Sequence, residues 1–241
     1  ERRHGPARGG AEADDHGTQP RAVVTRGAGE LQRVEHRAVP RELVVLVEDV
    51  EAEGAVLLPV VHRLERDERE PLVDGALGRW GRIDVLVNSA GHGPKGPLLA
   101  LSDEAWHTGM ECYLMNVIRP LRLVTPIMQR QQSGAIVNIS SFAAVEPDPV
   151  FPTSAVFRAG LAAFTKLYAD QHAADGIRIN NVLPGFIDSL PEKAERRAAI
   201  PMQRYGRMAE VSSLIAWLAC DEGAYMTGQN LRLDGGLTRG Y

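Results

Sequence analysis

Gly134-Ala-Ile-Val-Asn-Ile-Ser-Ser141, followed thirteen residues later by Ser154-Ala-Val-Phe-Arg158-Ala-Gly160, sets the reading of the whole chain. The first stretch is an apolar run ending in hydroxyl side chains, the pattern of a buried strand with a polar C-terminal end. The second opens a long helix. Leu161, Phe164, Leu167 and Tyr168 follow at helical spacing over 157–174, and Gly176, just after Asp175, closes it.

The same alternation extends on both sides. Ile83-Asp-Val-Leu-Val-Asn88 is an apolar run bounded by Gly81 and by Ser89-Ala-Gly91, and reads as a buried parallel strand. Leu101-Ser102-Asp-Glu-Ala-Trp106 starts a helix, with Ser102 as N-cap and acidic residues in the first turn. That helix runs with interruptions to about Gln131, and Pro120 and Pro126 bend it. Residues 177–183 form a strand stopped by Pro184-Gly185, 208–218 a helix, and 229–233 a short last strand. Elements of these lengths in this order imply a parallel sheet covered by helices on both faces.

Five motifs lie along this frame in a fixed order. They are Asn88-Ser-Ala-Gly91, Asn116 within Met115-Asn-Val-Ile-Arg119, the strand ending at Ser141, Pro184-Gly185-Phe-Ile187, and Met226-Thr-Gly-Gln-Asn-Leu-Arg-Leu-Asp-Gly-Gly236. Together they resemble the short-chain dehydrogenase/reductase family, nearest to its 3-oxoacyl-carrier-protein reductase-like members, from about residue 72 to 241. The resemblance implies an α/β fold with a Rossmann-like doubly wound parallel sheet. It implies an NAD(P)(H)-dependent oxidoreductase acting on a small carbonyl or alcohol substrate, with NAD or NADP as cofactor and the preference open. By the same resemblance Asn88, Ala90 and Gly91 lie against the adenosine side of the cofactor. Pro184, Gly185 and Ile187 lie beside the nicotinamide amide, and Asn116 organises a proton-relay water. The helix with Ala159, Gly160, Ala162 and Ala163 corresponds to one that packs between subunits, which implies a homodimer or homotetramer.

The chain departs from the family at one decisive place. The family's helix carries Tyr-x-x-x-Lys; here the two positions hold Ser154 and Arg158. Spacing of four puts both on one helix face. Ser141 matches the family's carbonyl-polarising serine, with Ser140 as the fallback. Arg158 can replace the lysine's charge and its ribose hydrogen bond, although it never gives up its proton. Ser154 cannot replace a phenol directly, because an aliphatic hydroxyl is a far weaker acid than a group of pKa about 10. Ser154 is therefore expected to be the helix N-cap. Glu146, Asp148, His92 and Tyr113 are stand-in proton donors, none with a spacing that argues for it. Two rivals follow: a catalytically impaired relative serving as a binding or assembly module, and a different catalytic solution on the same fold.

The first third has another character. From Glu1 to Arg79 there is no Ser, Asn, Ile, Phe, Tyr, Met, Lys or Cys. Apart from Thr18 and Thr25, each of those residues has a codon beginning with G or C. Residues 1–72 are therefore read as an out-of-phase translation of a GC-rich gene, standing where a dinucleotide-binding βαβ unit belongs, against a genuine but biased extension. Residues 73–241 are the catalytic portion of one domain. Within the first segment Ala22-Val-Val-Thr-Arg-Gly-Ala-Gly29 is a partial glycine pattern without a third glycine. Residues 43–47 and 55–61 have the hydrophobicity of strands. A poorly packed or irregular structure is expected up to about residue 70.

Composition narrows the remaining classes. A net charge of −4 gives no reason to expect nucleic acid, and 44% hydrophobic residues suffice for a full core. No apolar run reaches a membrane span, the N-terminus lacks signal-peptide features, and no repeat is visible. Cys112 and Cys220 lie far apart without metal-ligand spacing, so no metal and a cytoplasmic location are expected.

Overall fold

The computed structural model describes residues 43–47, 69–89 and 91–240. Among the described residues, five strands form one parallel sheet in the order of the sequence. They are β1 (Leu43–Val47), β2 (Val85–Ser89), β3 (Gly134–Ile139), β4 (Ile177–Pro184) and β5 (Asn230–Leu233). Between them run α1 (Arg69–Trp80), α2 (Asp103–Met110), α3 (Asn116–Gln131), α4 (Pro152–His172), α5 (Ala194–Ala199) and α6 (Met208–Ala219). This is the expected doubly wound α/β arrangement. The strand expected at 43–47 is present and pairs with β2, from Leu43 opposite Val85 to Val47 opposite Ser89. The glycine pattern at 22–29, the strand at 55–61 and the irregularity expected before residue 70 otherwise fall outside the described residues.

The alternation of side chains along the central strands builds two cores. Leu86 and Ile136 point to one face and pack with Leu121, Val124, Met128, Leu161 and Ile179 under α1, α3 and α4. Val85, Val87, Ala135 and Val137 point to the other and pack with Val211 and Leu218 of α6. Because both faces are covered, the central strands read as continuous apolar runs. Through the sheet runs a ladder of asparagines. Asn88 Nδ2 donates to Asn138 Oδ1 (2.9 Å), Asn138 Nδ2 to Asn181 Oδ1 (2.8 Å), and Asn181 Nδ2 to Asn230 Oδ1 (2.7 Å). Thr165 of α4 adds a bond to Asn181 Oδ1 at 3.0 Å. A one-residue slip of any strand would break these bonds, so the ladder fixes the register of β2 to β5.

Local signals place the helices. Ser102 caps α2, its Oγ accepting from the Ala105 N–H. Between α2 and α3 the helix widens over Glu111–Met115, where the Asn116 N–H reaches back five residues to the Glu111 carbonyl. Pro120, lacking an N–H, cannot give the Asn116 carbonyl its usual bond, so the ladder is weakest at this point. α4 starts at Pro152, whose fixed φ suits a first helical position. Ser154 is therefore not the N-cap; that position belongs to Phe151, and Ser154 lies buried in the first turn. After α4 the chain turns at Gly176 (φ 75°), where a Cβ would meet the Gln132 carbonyl oxygen at 2.3 Å, so only glycine fits.

Candidate active site at the C-terminal ends of the strands

In an open parallel sheet, ligand sites form outside the carboxyl ends of the strands. Here β2 delivers Asn88 and then Gly91, β3 delivers Ser140 and Ser141, and β4 delivers Pro184 and Gly185. α4 starts over the same edge and packs on the short turn Phe142–Ala144 and on the widened turn Glu111–Met115.

Arg158 is the centre of the site. Its guanidinium is buried (6% exposed), and Nε donates to Ser154 Oγ at 3.2 Å while Nη1 donates to the Ile139 carbonyl at 3.2 Å. Neither bond uses Nη2. Its carbon lies 4.6 Å from the centre of the Tyr113 ring, a cation–π contact. Burial favours its neutral form, yet no carboxylate among the described residues pairs with it. The expected pair Ser154 and Arg158 is thus in contact, and a third side chain joins it.

That third side chain is Tyr113. The widened turn carries it inward to 4% exposure. Its phenol oxygen accepts the Gly93 N–H at 2.5 Å. The approach is so close that a Cβ on Gly93 would lie 2.6 Å from the ring. Burial pushes the Tyr113 phenol up from its ordinary value, against the pull of the Gly93 N–H, of Arg158 and of Ser154. Tyr113 lies three residues before Asn116, and a spacing of three puts both near one helix face, but that spacing alone did not set it above the other stand-in donors.

The other candidates fall around this cluster. Asn116 is buried with its Oδ1 unpartnered, as is Ser140 Oγ. Ser141 is half-buried and its Oγ accepts from the Ala143 N–H at 3.2 Å, holding the turn beside α4. Asn88 is turned into the asparagine ladder, and its Oδ1 is unpartnered. Gly91 is buried, and Ala90 lies outside the described residues. Gly185 is fixed by its N–H to the Leu233 carbonyl (3.0 Å). Ile187 bridges Gly206 through its neighbours, Asp188 N–H to Gly206 O and Gly206 N–H to Phe186 O, which leaves the Ile187 N–H outside the bridge. Of the other stand-in donors, Asp148 accepts from the Val150 N–H and Glu146 from the Arg239 N–H, so both serve their loops, and His92 is exposed.

An aromatic group closes one side. Phe142 meets Phe186 edge-on at 5.6 Å, Phe186 stacks on Tyr205 at 5.7 Å, and Arg196 of α5 covers Phe186 at 4.8 Å. The loop over 188–201 is thereby tied to the end of β4.

The sequence family described as Enoyl-(Acyl carrier protein) reductase matches residues 41–238. The match reaches back into the segment that composition sets apart. The 3-oxoacyl-[acyl-carrier-protein] reductase FabG of Thermotoga maritima is 38% identical over 185 residues, 74% of this chain and 75% of the relative. The protein of the same name from Staphylococcus epidermidis is 30% identical over 200 residues, 80% and 82% of the two chains. Nodulation protein G of a Rhizobium species is 37% identical over 179 residues, 71% and 73%. This chain belongs to the short-chain dehydrogenase/reductase family. Within the family it is 3-oxoacyl-carrier-protein-reductase-like. No helix among the described residues is long and apolar enough to cross a membrane, and none of their His, Cys, Asp and Glu side chains form a metal-binding group.

Proposed function

We propose that this short-chain dehydrogenase/reductase is an NAD(P)H-dependent reductase of a carbonyl substrate, of the 3-oxoacyl class its relatives' names carry, working through a non-standard site. The observation that carries the reading is the contact of Arg158 with both Ser154 and the Ile139 carbonyl. It sets a fixed cation at the strand edge where Ser141, Pro184 and Gly185 converge.

These residues fit a nicotinamide nucleotide. The Nη2 of Arg158, which neither the Ser154 nor the Ile139 bond uses, suits the ribose hydroxyls, and a planar guanidinium presents two donors at once. The Ile187 N–H, outside its bridge, suits the carboxamide, with Pro184 and Gly185 beneath it. The unpartnered Asn88 Oδ1 suits an adenosine donor near Gly91 and Ala90. The bound nucleotide supplies a hydride. The chain's own residues polarise the carbonyl through Ser141, exclude water through Phe142 and Phe186, and hold the proton to be delivered. Asn116 Oδ1 and Ser140 Oγ, both buried and unpartnered, suit an ordered water in the relay.

Assembly into a homodimer or homotetramer is part of the same reading. Val156, Gly160, Ala163 and Leu167 form an outward stripe on α4, and Leu167 is 69% exposed. The rival reading, a catalytically impaired binding module, rests on Ser154 alone. Consumption of NADH and NADPH with 3-oxoacyl thioesters, simple ketones and enoyl thioesters separates the two. Carbonyl reduction at saturating cofactor supports the reductase; folded protein that reduces no carbonyl with either cofactor overturns it. Reduction of the enoyl thioesters alone also overturns the carbonyl reading.

A further inference from the structure

The site needs an acid, and α4 offers only an aliphatic hydroxyl. We propose that Tyr113 supplies the missing phenol from the neighbouring helix, its proton passing to the reacting oxygen through the Ser154 hydroxyl. The proposal rests on the reductase reading above and names the proton path within it.

Three features converge on the Tyr113 oxygen. The Gly93 N–H donates to it at 2.5 Å, and the Ser154 hydroxyl acts to lower its pKa. Arg158 stands over the ring at 4.6 Å and at the same time donates to Ser154 Oγ. Each of these groups favours a phenolate over a phenol: one backbone donor, one hydroxyl donor and one cation. A buried guanidinium without a carboxylate is costly unless an anion forms beside it, and the phenolate would be that anion. The widened turn has the same implication, because such turns depart from the regular helix ladder and recur at functional sites. Gly93, which no larger residue can replace against the ring, completes the fit.

The step balances. A bound nucleotide would supply hydride to the carbonyl carbon, whose π pair would become the alkoxide lone pair. The alkoxide takes the Ser154 proton, and Ser154 Oγ takes the Tyr113 proton in the same motion. No free serine alkoxide forms, which removes the objection to Ser154 as an acid. Tyr113 is left as a phenolate and regains its proton from water before the next turnover. Ser154 is the catalytic residue here, and Tyr113 acts through it. Burial raises the phenol's pKa, so the acid stays loaded through neutral pH.

The test uses Tyr113→Phe, which keeps the ring and its packing, together with Ser154→Ala and Ser154→Thr. Tyr113→Phe and Ser154→Ala are expected to lower kcat by about 10²–10⁴-fold with KM and melting temperature little changed. Ser154→Thr, which keeps a hydroxyl, is expected to recover most of it. Unchanged kcat in Tyr113→Phe, with the wild type active, overturns the proposal and leaves the reductase reading intact. A second readout needs no cofactor. The difference between alkaline ultraviolet titrations of wild type and Tyr113→Phe isolates the ionisation of Tyr113. In Arg158→Met and in Ser154→Ala that ionisation is expected to move to higher pH. If it moves in neither, the three groups are not coupled and the proposal fails. If it moves while the wild type reduces no carbonyl, the coupling stands and the reductase reading is what fails, taking the proposed proton path with it.

Discussion

Arg158 carries a group that stays charged at any working pH, and the cost of burying it falls on three weak partners. Replacing such a cation by an apolar chain of similar length often leaves stability unchanged or raised. Arg158→Met is therefore expected to shift the denaturation midpoint little while weakening NADPH or NADH binding by roughly 10–100-fold, the range for loss of a charge-assisted hydrogen bond. Fluorescence titration beside urea unfolding reads both; unchanged affinity would remove Arg158 from the cofactor site. Ser154→Tyr puts a second ring into the buried contact of Ser154 with Arg158, whose guanidinium already lies against the Tyr113 ring. Overpacking of that kind costs about 1–3 kcal/mol, so this variant is expected to melt lower than the wild type. Contact between Ser154 and Arg158 was legible from their spacing of four on one helix. The N-cap expectation for Ser154 failed because Pro152 begins the helix earlier. Tyr113 was legible only as one of four stand-in donors, because no periodicity marks a widened turn and its one clue, Pro120, acts seven residues away.

The strands and helices between residues 83 and 233 were legible almost throughout, since long apolar runs and 3.6-residue periodicity are strong signals. The asparagine ladder was not. Asn88, Asn138, Asn181 and Asn230 lie at unrelated points of the sequence, and only the pairing of Asn88 with Asn138 and of Asn138 with Asn181 aligns them. Asn138→Ala leaves the Asn88 amide and part of the Asn181 carboxamide unpaired in the core. It is expected to cost about 2–4 kcal/mol in urea unfolding, since each buried group left unsatisfied costs about 1–3 kcal/mol; a loss near zero would show that the ladder does not hold the sheet. At the start of α6, the hydrogen bond from Arg204 and the Arg207 N–H hold the Glu210 carboxyl at about 2, below its ordinary 4.5. A lowered carboxylate pKa stabilises the fold above pH 4.5, and the contribution fades as pH falls through about 2. The pair is solvent-exposed, so Glu210→Gln is expected to lose under about 1 kcal/mol at neutral pH and to flatten the slope of stability against pH in that acid window.

At the scale of the molecule, the residues proposed for the nicotinamide all lie in the described part, while the pyrophosphate requires backbone N–H groups at a helix start. The segment 1–72, read as an out-of-phase translation, is expected to give the chain weak affinity for either nucleotide. Reading the gene one base out of phase upstream of Leu72 should yield a strand, a glycine-rich turn and a helix; stop codons throughout the other forward frames would end that reading. The stripe on α4 makes a separate expectation. Leu167→Asp should turn an oligomer into monomers in light scattering, because a charge placed in a buried apolar contact is costly. The most direct single measurement follows the hydride itself. A nicotinamide nucleotide deuterated at its transferable position is incubated at saturating concentration with the protein and a 3-oxoacyl thioester, and the product is read by mass spectrometry. One deuterium on the new hydroxyl-bearing carbon, absent without protein and strongly reduced in Ser154→Ala, is the expected result. Folded protein that yields no deuterated alcohol from any 3-oxoacyl thioester or ketone would contradict it.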